Sequence, residues 1–433
     1  MSGSLALLQD IWKASTSPFL ITPGGELNFQ DIEAAQGLDL SAINPGDVVC
    51  LVGDFDPLSI QLLLQLIERG AVVVPLTKET QPQHEYFFEV TNPKAIISEG
   101  TLVLTDGGKV RDGLLTTFSQ RKTAGLILFT SGTTGKPKAI LHDFTGFLER
   151  FRTPRPSLKT LSFLLFDHIG GLNTLFHTLF NKGLIVSPQS RDVASVLKAC
   201  AEHEVELLPT TPTFLRMLLM SEYVTDKFPE SLRLITYGTE RMDQVTLSRL
   251  CDLLPQVEFK QTYGMSELGI LRIKTRARDS LWMQVGGEGV ETKVVDDVLH
   301  IRSQNRMVGY VNAPDPFDED GWYNTTDIVE TDGDWLKITG RTKDVANVGG
   351  LKFSTSEVED VALEFPGVEL AKAEAKENPI TGNHVELTVQ ASESSDLNID
   401  ELRQFLKTRL EPHKQPMRVR VGTVGVSPRY KKT

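Results

Sequence analysis

The chain has 433 residues, with 45 Lys and Arg against 57 Asp and Glu, for a net charge of −12. That length exceeds one ordinary core and predicts two or more domains, while 40% hydrophobic and 24% charged residues exclude a disordered chain. The acidic balance argues against nucleic acid as a partner, and the scattered Cys50, Cys200 and Cys251 offer neither a disulfide framework nor a zinc pair. From Met1 to Ser15 there is no basic region and cleavage signature of a secretory peptide, and no apolar run is long enough to span a bilayer. A cytoplasmic protein with no membrane span is the expectation.

In chain order, Val48 to Val52 reads as a buried strand. Pro57 to Arg69 follows with helical spacing, and Gly70 sits where a helix stops. Further strands are predicted over Ala71 to Pro75, Ala95 to Ser98, Leu126 to Phe129, Ser162 to Phe166 and Leu184 to Ser187. Leu207-Leu208, Arg233 to Tyr237 and Val257 to Gln261 continue the series, with helices between most of them. This alternation is the pattern of an α/β domain whose sheets are covered by helices. After about Gly286 the pattern predicts shorter strands and acidic turns, such as Asp315 to Gly321. Near Arg341 it changes again. Ser354-Thr355-Ser356-Glu357 reads as a capping box ahead of a helix over Val358 to Phe365. A strand over Val385 to Val389 and a helix over Ile399 to Leu410 complete a small α+β unit. The predicted division is a large domain over 1–341 and a small one over 342–433.

The most informative segment runs from Leu126 to Lys138. A hydrophobic strand enters a loop of Thr130, Ser131, Gly132, Thr133, Thr134, Gly135, Lys136, Pro137 and Lys138. Glycines let backbone N–H groups close around phosphate oxygens, hydroxyls add donors, and lysines neutralise charge. Composition alone also allows a flexible polar turn. It is not a Walker A loop, because two residues separate the glycines where four are needed, and Pro137 follows Lys136.

At this point the sequence resembles the AMP-forming adenylating family of acyl- and aryl-CoA ligases, luciferases and peptide-synthetase adenylation domains. Thr130 to Lys138 is similar to its phosphate signature, and the resemblance covers nearly the whole chain. It implies ATP and Mg²⁺ as cofactors and coenzyme A, or the phosphopantetheine of an acyl carrier protein, as acceptor. Gln261 to Glu267 resembles the adenine and magnesium segment, comprising Thr262, Tyr263, Gly264, Met265, Ser266 and Glu267. Tyr263 would stack on adenine, Ser266 would donate to the α-phosphate, and Glu267 would hold Mg²⁺. Gly238, Thr239 and Glu240 resemble the segment covering the other adenine face. Tyr323 to Asp327 resembles the ribose segment, with Asn324 and Thr326 in place of the usual Arg and Gly, and Asp327 as the ribose acceptor. Arg341 would contact ribose or phosphate, and Lys343 matches the hinge of a mobile C-terminal domain. Gly349 and Gly350 would pass close to a pantetheine arm.

Leu165 to Asn173 is similar to the His-containing segment of acyl-CoA ligases, which makes His168 a movable wall between acyl site and thiol tunnel. Amino-acid-activating relatives place an Asp to bind the substrate ammonium. Anchoring on His168 puts Ile169 there, whereas anchoring on Phe166 restores Asp167. A non-amino carboxylic acid is the favoured substrate, held by walls at 168–173, 236–239 and 265–269. An o-succinylbenzoate ligase would carry an Arg where His177 stands. Relatives end in Gly-Lys, whose lysine bridges carboxylate and ATP. Here the residues are Pro428-Arg429-Tyr430-Lys431-Lys432-Thr433, so either Lys431 or Lys432 substitutes, the sequence is truncated, or the lysine is lost, the last leaving a catalytically impaired nucleotide-binding homologue as an alternative. From Arg403 onward nine basic residues face one acidic residue, which suits folding over an anionic nucleotide.

Overall fold

In the computed structural model the described residues are 4–35, 37–107, 113–130, 135–392 and 397–432. They form three seven-stranded sheets and a smaller C-terminal sheet. The first sheet runs parallel through Glu258–Gln261, Leu234–Tyr237, Leu207–Thr210, Lys159–Leu161, Leu184–Val186 and Leu20–Thr22. The second has a parallel centre of Gly125–Phe129, Val72–Leu76, Val48–Val52 and Ala95–Ser98 with antiparallel edges. One hydrophobic cluster joins strands of both sheets to the helices Pro57–Glu68 and Ile169–Phe180. Pro57–Glu68 is buried almost all round, which its sequence PLSIQLLLQLIE permits. Its buried Gln61 donates through Nε2 to the carbonyls of Glu33 and Ala35, so no amide hydrogen is lost to the core.

Two expectations need correction. Ser162 to Phe166 is not a strand: the strand stops at Leu161. Phe163, Leu165 and Phe166 are nonetheless buried, at 3%, 3% and 0% exposure. The chain turns there, with the Phe163 N–H donating to the Leu161 carbonyl. A buried loop and a buried strand are equally apolar, and periodicity cannot separate them. The change in pattern placed at Gly286 occurs earlier, at Tyr263, where the chain leaves the first sheet for an antiparallel third one. Its strands are not uniformly short, since Tyr323–Asp332 has ten residues.

The strand Trp335–Arg341 is the last of the third sheet. A 3₁₀ turn over Thr342–Asp344 then leads to Val345–Val348, the first strand of the C-terminal sheet. Ser354 and Glu357 form the capping box of the helix Thr355–Leu363, and Ile399–Arg409 is the second C-terminal helix. The strand Arg418–Val421 pairs in parallel with Gly382–Ala391 and sends the chain end back to the large domain. Ion pairs of Arg241 with Asp360, 2.9 Å, and of Arg249 with Glu369, 3.0 Å, join the two parts. All three cysteines are free and buried. No helix among the described residues is long and apolar enough to cross a membrane.

Candidate active site

The parallel strands of the first sheet set up the site. Thr210, Tyr237 and Gln261 are register partners at the C-terminal ends of three neighbours, the end where open α/β sheets present ligand sites. Thr211, Gly238 and Thr262 are delivered side by side just beyond. A Cβ on Gly238 would lie 2.2 Å from Thr262 Oγ1 and 2.8 Å from its carbonyl oxygen, so only glycine fits. Thr239 follows at φ 69°, a strained setting for a β-branched residue. The polar atoms Thr210 Oγ1, Thr239 Oγ1 and Gln261 Oε1 are buried without a hydrogen-bond partner among the described residues. Orphaned polar groups clustered on one edge suit a polar ligand.

The loop that resembles a phosphate signature is the connection between Gly125–Phe129 and its antiparallel neighbour Ala139–Asp143. Residues 131–134, hence Ser131, Gly132, Thr133 and Thr134, lie outside the described residues. The base of the loop is pinned: the Thr130 N–H donates to the Lys138 carbonyl at 2.9 Å, and the Lys138 N–H to Thr130 Oγ1 at 3.0 Å. Gly135 has φ 117°. Lys136 and Lys138 hold their ammonium groups over the rings of Tyr86 and Tyr310, at 5.3 and 4.8 Å. Tyr310 Oη donates to Glu267 Oε1 at 2.6 Å, which connects the loop to the metal candidate. Glu267 is 8% exposed. Burial first, then the Glu267 carboxylate, pushes the phenols of Tyr310 and Tyr323 above their ordinary value.

The hairpin of Tyr263–Met265 with Gly269–Thr275 holds Gly264, Ser266 and Glu267, with Met265 and Gly269 in register. His142 Nε2 donates to the Ser266 carbonyl at 2.6 Å; a carbonyl only accepts, so Nε2 carries the proton. Burial pulls the His142 pKa down to about 4, so the ring is neutral. Neither His142 nor Tyr310 stood out in the sequence. A histidine closing the apolar run Ala139-Ile140-Leu141 was the one available signal.

Asp327 and Arg341 are cross-strand partners. Arg341 Nε donates to Asp327 Oδ1 at 2.9 Å, and Tyr263 Oη to Asp327 Oδ2 at 2.7 Å. Each carboxylate oxygen keeps further acceptor capacity for a ribose hydroxyl. Thr326, where the resembling family carries Gly, adopts φ 62°. Thr326→Gly relieves about 1–2 kcal/mol of left-handed strain and costs up to about 1 in unfolded-chain entropy. Chemical denaturation is therefore expected to show a gain of about 0.5–1 kcal/mol.

The chain end completes the site. Arg429 Nη2 meets Asp167 Oδ2 at 2.9 Å, with side chains 13% and 3% exposed. The ring of Tyr430 packs on Phe163 and Phe214, and Thr211 Oγ1 donates to the Tyr430 carbonyl at 2.7 Å. Lys431 then lies in a small enclosed space with His168, Thr239 and Leu165. Burial, with Arg429, Arg341 and Lys343 adding to it and Glu240 opposing, pulls the Lys431 pKa down to about 8. His168 caps the helix Ile169–Phe180, its Nδ1 accepting from the Gly170 N–H at 3.1 Å. Burial and then Lys431 and Arg429 hold its pKa well below the usual histidine value. Lys432 turns elsewhere: its ammonium meets Glu359 at 2.6 Å and the Ala371 carbonyl at 3.0 Å in the C-terminal domain. Its backbone N–H donates to Glu240 Oε1. Gly349 and Gly350, at φ 62° and 89°, form an exposed hairpin tip and are not brought into the site.

Among the described residues no group of three or more His, Cys, Asp or Glu is placed to hold a metal ion. Glu267 suits magnesium all the same, because that ion commonly takes one or two protein carboxylates with substrate phosphates. No lysine or arginine among the described residues forms an ion pair with Glu267, and a neutral phenol orients it.

A sequence model described as "AMP-binding enzyme" matches residues 25–311. Feruloyl-CoA synthase of Amycolatopsis sp. is 24% identical over 440 residues, covering 91% of this chain and 88% of that protein. The solved anthranilate CoA ligase AuaEII, in complex with anthranoyl-AMP, superimposes with a TM-score of 0.82 at 18% identity, covering 99% and 95% of the two chains. The amide bond synthetase McbA from Marinactinospora thermotolerans gives 0.76 at 19% identity, covering 98% and 97%. These likenesses share the α/β fold with a large N-terminal and a smaller C-terminal α+β domain. The chain belongs to the AMP-binding enzyme family, whose chemistry passes through an acyl-adenylate.

Proposed function

We propose that this protein is an AMP-forming acid–thiol ligase that joins a non-amino carboxylic acid to coenzyme A. The observation that carries the reading is Lys431, enclosed beside His168 and Thr239 at the strand ends that bear the nucleotide segments. A substrate carboxylate is already ionised at neutral pH, so its attack on the α-phosphorus needs no protein base. The Lys431 ammonium would bridge that carboxylate and the α-phosphate, stabilising charge that spreads in the transition state. Asp327 would accept from the ribose hydroxyls, Thr239 and Tyr263 would flank adenine, and Lys136 and Lys138 would meet the departing pyrophosphate. Magnesium, when bound through Glu267, would supply further neutralisation of phosphate charge.

Asp167 supports the choice of a non-amino acid. Its Oδ2 is engaged by Arg429 when Lys431 is in place, so that oxygen does not serve a substrate ammonium in that arrangement. We take Lys343 as the hinge between 1–341 and 342–433; turning there would withdraw the tail and bring the Gly349-Gly350 tip toward the pantetheine thiol. A carrier-protein phosphopantetheine would use the same route. The test is a panel of carboxylic acids assayed for pyrophosphate with and without CoA. AMP and pyrophosphate are expected, and ADP with acyl phosphate would sink the reading.

The lowered pKa of Lys431 has a direct consequence. The bridging form is the ammonium, lost as pH rises through about 8, whereas an ordinary lysine holds its proton to about 10.4. The pH profile of kcat/KM for adenylation, which reports the free enzyme, is therefore expected to fall on its alkaline side from about pH 8.

A further inference from the structure

The short helix Phe144–Glu149 ends at Arg150. The guanidinium of Arg150 lies 4.8 Å from the Phe147 ring centroid. It also packs against Gly269, where an added Cβ would lie 3.1 Å from both Nη1 and Nη2. Gly269 is the register partner of Met265 and stands two residues beyond Glu267, on the wall predicted for the acid's tail. The helix headed by His168 packs on the same strand. No carboxylate among the described residues pairs with Arg150. Glu149 turns to Arg152 at 3.0 Å, and Asp143 caps the start of the helix by accepting from the Gly146 N–H. His142, the nearest other titratable ring, is neutral and adds no negative charge. Burial pulls the Arg150 pKa down with no opposing partner. A guanidinium half-buried in protein without an anion carries a desolvation cost, and its planar fork matches a carboxylate held by two parallel hydrogen bonds.

We infer that Arg150 is a specificity-determining anion site in the acid pocket, and that the substrate carries a second anionic group, a carboxylate, at the end remote from the one activated. This rests on the ligase reading, which supplies the first carboxylate. The second anion supplies the partner that the fold withholds. Gly269 carries no side chain there, so both Nη atoms keep an approach along that wall which a Cβ would close.

The test pairs dicarboxylic acids, aliphatic and aromatic, with their monomethyl esters in the pyrophosphate assay. The parent protein is expected to favour one diacid over its half-ester on the order of a hundredfold in kcat/KM, the scale of a buried charge pair. Arg150→Met should remove that preference by lowering the diacid alone, and Arg150→Lys should restore part of it. Thermal-shift titration with the same acids gives a readout independent of turnover: diacids should protect the parent and not Arg150→Met. Equal use of diacid and half-ester by the parent, or an equal fall for every acid in Arg150→Met, would overturn the anion site. Pyrophosphate release from no acid would overturn the ligase reading; diacid protection lost in Arg150→Met would still uphold the anion site, and its absence would remove both.

Discussion

Lys431→Ala lowers ATP-dependent pyrophosphate release about a hundred- to a thousandfold, the effect of removing one preorganised contact to transition-state charge, about 2.7–4 kcal/mol. Lys432→Ala leaves that release within a few-fold of the parent, because its ammonium is committed to Glu359 and the Ala371 carbonyl. Thioester formation from a supplied acyl-adenylate is expected to survive both changes, since the proposed turn at Lys343 would withdraw both lysines from that step. Measuring the two half-reactions separately checks this. A Lys431→Ala enzyme that activates its acid at full speed would show that another group carries the charge.

The second large effect is at the Arg429–Asp167 pair. Arg429→Gln leaves a carboxylate 3% exposed and without its cation, a change that costs about 3–5 kcal/mol for a buried pair. The tail should release, and adenylation should fall a hundredfold or more while the second half-reaction persists. Asp167→Asn with Arg429→Gln recovers part of the loss, because two neutral amides leave no bare charge. The alkaline limb of the remaining adenylation should also move up, since Arg429 is one of the cations lowering Lys431. A tail that merely props the fold would lower melting without moving that limb.

Which parts of the molecule were legible follows from the range of the forces involved. Val48–Val52 and Pro57–Glu68 are set by local pattern and punctuation, and Ser354 with Glu357 announces its helix within four residues. The segments resembling the family's motifs stood out because each is short and ordered. Contacts between distant residues were not. His142 meets Ser266 across 124 positions, and Arg429 meets Asp167 across 262. Lys431 and Lys432 are chemically identical in the sequence and separate only once Tyr430 is seated between Phe163 and Phe214. Arg150 was equally silent, because an arginine at a helix end reads as surface until its surroundings are known.

The strand Gly382–Ala391 carries one more consequence. At one end it pairs with Val348, beside the Gly349-Gly350 tip; at the other it holds Val421, from which the tail departs. From Gly382, the partner of Val348, to Val389, the partner of Val421, the strand sets those points about 23 Å apart at ~3.3 Å per residue. With the proposed turn at Lys343, lysine and glycine tip would be the two arms of a seesaw, the descent of one being the ascent of the other. On the proposed ligase reading, activation and thiol capture would then take turns: no thiol would meet the site while the acid is still unactivated under Lys431, and no second acid would be activated while the thiol is being joined.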